Sequence, residues 1–61
     1  MTANQIAQLI GLVLDSYNRR EFGIETLSSL VRGLEAQAES MGLLEEVYRI
    51  RRQDYEAPAN G

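Results

Sequence analysis

The chain of 61 residues reads as an all-α protein, a small three-helix bundle, on three observations. Apolar residues recur at helical spacing in three stretches. A capping pattern opens the first stretch, and glycines at 23 and 42 separate the three. The expected architecture is an antiparallel hairpin of helices 1 and 2 with a shorter third helix, completed by dimerisation.

Helix 1 starts at a capping box, Thr2 with Gln5 three residues on, in which each side chain satisfies a backbone N–H. Ile6, Leu9, Ile10, Val13, Leu14 and Tyr17 follow in one arc of the helix wheel, the pattern of a core-facing stripe. Leu12 falls near the polar side, as lone exposed leucines often do. Gly11 costs about 1 kcal/mol in a helix interior, which a close neighbour would explain.

Asn18 to Gly23 reads as the first turn. Gly23 is placed as N-cap of helix 2, with Phe22 and Leu27 at the two positions of a hydrophobic staple. Glu25 suits the positive end of the helix dipole. The stripe of helix 2 is Ile24, Leu27, Leu30, Val31, Leu34, Ala38 and Met41, and Gly42 stands where a C′ glycine ends a helix. Among these stripes Leu9, Val13, Leu27 and Leu34 are expected to be buried.

Helix 3 is expected from about Leu43 to Arg52 or a little beyond, with Leu43, Leu44, Val47, Tyr48 and Ile50 apolar. Glu45 and Glu46 lie in its first turn and Arg49, Arg51 and Arg52 near its end, both matching the macrodipole. Residues 1–55 thus form a single helical domain, and Glu56-Ala-Pro-Ala-Asn-Gly61 a flexible tail. The rival architecture is two helices, the second continuing through Gly42.

Composition narrows function by absence. There is no histidine, cysteine, lysine or tryptophan. The usual general base at neutral pH, the thiolate nucleophile, the Schiff-base amine and the N/S metal ligands are therefore missing together. Glu35/Glu39 and Glu45/Glu46 are carboxylate pairs, but no acidic loop accompanies them and a solvated face accounts for them. Ser28, Ser29 and Ser40 have no base to activate them. No enzymatic activity, cofactor or metal is expected.

Charge is uneven within a total of −3. Residues 21–46 carry Glu21, Glu25, Glu35, Glu39, Glu45 and Glu46 against Arg32 alone, whereas each end of the chain is slightly basic. This acidic centre disfavours nucleic acid and anionic membranes and favours a basic protein partner. No apolar run approaches the ~20 residues that span a bilayer, and no signal peptide opens the chain, so a cytoplasmic location is expected. Six arginines without lysine point to a GC-rich bacterial or phage genome.

Two surfaces fit a partner, either another protein or a second copy. Leu44, Tyr48, Arg51 and Tyr55 recur along helix 3, and Tyr and Arg are enriched at interface hot spots. The alternative is that Tyr48 caps the core while Arg51 snorkels beside it. On helix 2, Ser29, Gly33, Ala36 and Ser40 form a ridge of small side chains that admits another helix closely. An ordinary exposed face has the same composition.

A short helix, a turn carrying Phe22-Gly23-Ile24-Glu25 and a second amphipathic helix loosely resemble small acidic bacterial immunity and antitoxin proteins. That resemblance implies an inhibitor-like role. The expectation is thus a non-enzymatic protein–protein interaction module, a small regulator, inhibitor or adaptor, dimeric with itself. The alternative is a minimal helix-turn-helix nucleic-acid binder using helix 3, weakened by Glu45 and Glu46 where base edges would be met.

Overall fold

The computed structural model describes residues 1–56, with side chains described through residue 53. Of the residues expected as a tail, 56–61, residues 57–61 lie outside the described residues. The protein is a bundle of three helices: α1 (Ala3–Asn18), α2 (Ile24–Ser40) and α3 (Leu44–Glu56).

Each boundary has a chemical cause. At the start of α1 the Gln5 N–H donates to Thr2 Oγ1 at 3.2 Å, and the Thr2 N–H donates to Gln5 Oε1 at 2.9 Å. Both halves of the capping box form. Gly23 is the N-cap of α2, with Phe22 half-buried and Leu27 buried at the staple positions. At the other end the Leu43 N–H donates to the Ala38 carbonyl at 2.8 Å and the Gly42 N–H to that of Glu39 at 3.0 Å. This is a Schellman motif, and Gly42 supplies its left-handed residue at φ +72°. Helices 2 and 3 are therefore separate, and the continuous-helix alternative is excluded.

The first turn closes by the same motif with a different residue. The Arg20 N–H donates to the Tyr17 carbonyl and the Glu21 N–H to that of Ser16, at 2.9 and 3.1 Å. Here the left-handed position, φ +64°, is occupied by Arg20. An exposed ion pair of Arg19 with Glu21, 2.8 Å, spans the strained residue.

α1 packs against both of its neighbours, whereas α2 and α3 touch each other little. The core cluster is Ala3, Ile6, Ala7, Ile10, Ala38 and Val47, with Leu14, Leu34, Leu43, Leu44 and Ile50 packed around it. This corrects the expected stripes. Leu9 and Val13 are only half-buried, while Ala3 and Ala7 lie inside. The buried arc of α1 is rotated toward its alanines because their small side chains let a neighbouring helix approach closely. On α2 only Leu27 and Ala38 are fully buried; Ile24, Leu30 and Met41 are exposed. With α3 seated chiefly on α1, nothing in the fold covers those three.

α3 runs beyond Arg52 to include Glu56, the first residue assigned to the tail. No residue that stops a helix occurs before Pro58. Its arginines consequently sit mid-helix, and the last turn carries no base, contrary to the dipole match expected there. The molecule is a plate, 35 × 28 × 14 Å across its Cα atoms. A thickness of 14 Å admits no more than two helix layers, since packed helix axes lie about 8–10 Å apart.

Candidate functional site

The stripe expected on α3 is split by the fold. Leu44 packs against the core cluster, and Arg51 is half-buried. A Cβ added at Gly11 would lie 3.0 Å from Arg51 Nη1, so the guanidinium rests over the glycine of α1. Gly11 is where a neighbour approaches, and the neighbour is Arg51. Tyr48 stays 48% exposed and donates its hydroxyl to Glu35 Oε2 at 2.8 Å, linking α3 to α2. That bond, with lesser contributions from burial and the charges of Glu35 and Glu39, raises the Tyr48 pKa above the ordinary phenol value. Tyr55 belongs to α3, but its side chain lies outside the described residues. Four residues expected to share one surface therefore serve different ends.

The ridge of Ser29, Gly33, Ala36 and Ser40 is exposed along its whole length, on the side of α2 opposite Leu27 and Ala38. Nothing stands within 4 Å of a Cβ built at Gly33. The Ser40 hydroxyl donates back to the Gln37 carbonyl at 2.9 Å, a local bond within the helix. The ridge is free surface with no apolar side chain larger than alanine.

A different surface emerges from the exposed apolar residues. Leu12 is 60% exposed, Met1 56% and Leu30 41%, with Met41 close behind. On the wheel Leu9 sits roughly 160° from Gly11, the residue that meets α3. Leu30 sits roughly 140° from Glu35, which also meets α3 through Tyr48. Leu9 and Leu30 consequently face away from α3, whereas Leu12 sits roughly 100° from Gly11, on the side of α1 opposite its buried arc. Shared contacts give the register of the two helices: Ala3 and Ala7 share a cluster with Ala38, and Leu14 lines a groove with Leu27 and Val31. α2 thus runs back along α1.

Exposed apolar side chains thus lie on both α1 and α2, outside the core cluster. Around Leu12 on α1 stand Gln5, Gln8 and Ser16, with Asp15 one turn on. A shallow depression of about 280 Å³, lined by Met1, Gln5, Gln8, Leu9 and Leu12, opens on α1. Sequence reasoning set Leu12 aside as a lone leucine.

Elsewhere on the surface two ion pairs form among the described residues, one of them between Arg19 and Glu21. Glu46 pairs with Arg49 within α3. The Glu21 pKa is lowered, first by its hydrogen bond from Arg19 and then by that cation's charge. A wider open cleft of about 600 Å³ at the first turn is lined by Tyr17, Asn18, Arg20, Phe22 and Gly23. Among the described residues no three acidic side chains gather closely enough to hold a metal ion. No helix there is long and apolar enough to cross a membrane. No family model, curated protein or solved structure matches this chain.

Proposed function

We propose that the chain works without catalysis, as a small cytoplasmic regulator, inhibitor or adaptor acting by protein–protein contact. The exposed apolar residues of α1 and α2 are its contact surface. The observation that carries this reading is the exposure of Met1, Leu12, Leu30 and Met41, which the described fold leaves uncovered. The centre of an interface is more apolar than its polar rim. The lack of catalysis is supported by the residue types missing from the sequence and by the local engagement of Glu35, Glu46 and Glu21.

The helix-turn-helix alternative has less support. It needs the arginines of α3 free for phosphates. Arg51 instead lies over Gly11, and Arg49 is bonded to Glu46.

Affinity capture from the native host, with wild type and a Leu12→Glu/Leu30→Glu variant as baits, tests the reading. Wild type is expected to retain a defined protein, an untagged copy included, that the variant loses. Equal capture by both baits would overturn the assignment of the surface.

A further inference from the structure

We draw no further inference here: the strongest candidate, the open cleft of about 600 Å³ at the first turn, where Arg20 stands with Tyr17, Asn18 and Phe22 beside the N-terminus of α2, carries none because nothing in the structure shows what would occupy it.

Discussion

At the scale of single residues, the two turns present the same motif with and without its preferred residue. Gly42 takes the left-handed position at φ +72° without steric cost, whereas Arg20 takes it at φ +64° with a Cβ. A non-glycine residue there costs about 1–2 kcal/mol, partly offset by the greater freedom glycine has when unfolded. Arg20→Gly is therefore expected to stabilise the fold by roughly 0.5–1 kcal/mol, and Gly42→Ala to destabilise it by about 1 kcal/mol. Thermal melts of the two variants check the pair; a destabilised Arg20→Gly would show that the Arg20 side chain holds the turn. Tyr48 supplies a second residue-scale test. Its phenol is held above the ordinary range chiefly by the bond to Glu35. A raised folded-state pKa stabilises the fold fully below the ordinary phenol value and loses that effect as pH rises through the raised one. In absorbance titrations, with Tyr48→Phe identifying the signal, Glu35→Ala is expected to bring this ionisation back toward the ordinary range. An unmoved titration would mean the bond is not made in solution.

At the scale of the helices, the sequence carried the boundaries better than the faces. The capping box at Thr2, the N-cap at Gly23 and the stop at Gly42 each follow from one residue type with one local bond pattern. All were legible for that reason. The buried arc of α1 was not, because hydrophobicity alone ranks Leu9 and Val13 above Ala3 and Ala7. Which arc is inside depends on where α3 lies, a tertiary fact, and alanines are chosen for closeness more than for apolar area. The candidate surface was missed on the same ground, since Leu12 and Leu30 were judged one helix at a time. The corrected arc makes a prediction about energetics. Ile6 is fully buried, so Ile6→Ala is expected to cost about 2–5 kcal/mol. Leu12→Ala, measured where the chains are monomeric, is expected to cost well under 1 kcal/mol, in keeping with its exposure. Denaturant unfolding of the two variants checks the order, and a reversed order would contradict the burial of Ile6.

At the scale of the whole molecule, a plate no more than two helix layers thick cannot surround its apolar residues. Met1 and Leu12 on α1 and Leu30 and Met41 on α2 are left exposed. Among the charged residues, Arg19 pairs with Glu21 and Arg49 with Glu46. Contact through these exposed apolar residues is the central claim, and it is reached most directly by methyl chemical-shift mapping of the labelled chain as its partner, a captured protein or further unlabelled chain, is added. The account predicts shifts concentrated at Met1, Leu12, Leu30 and Met41. Shifts confined to α3, or none on addition of either, would contradict it.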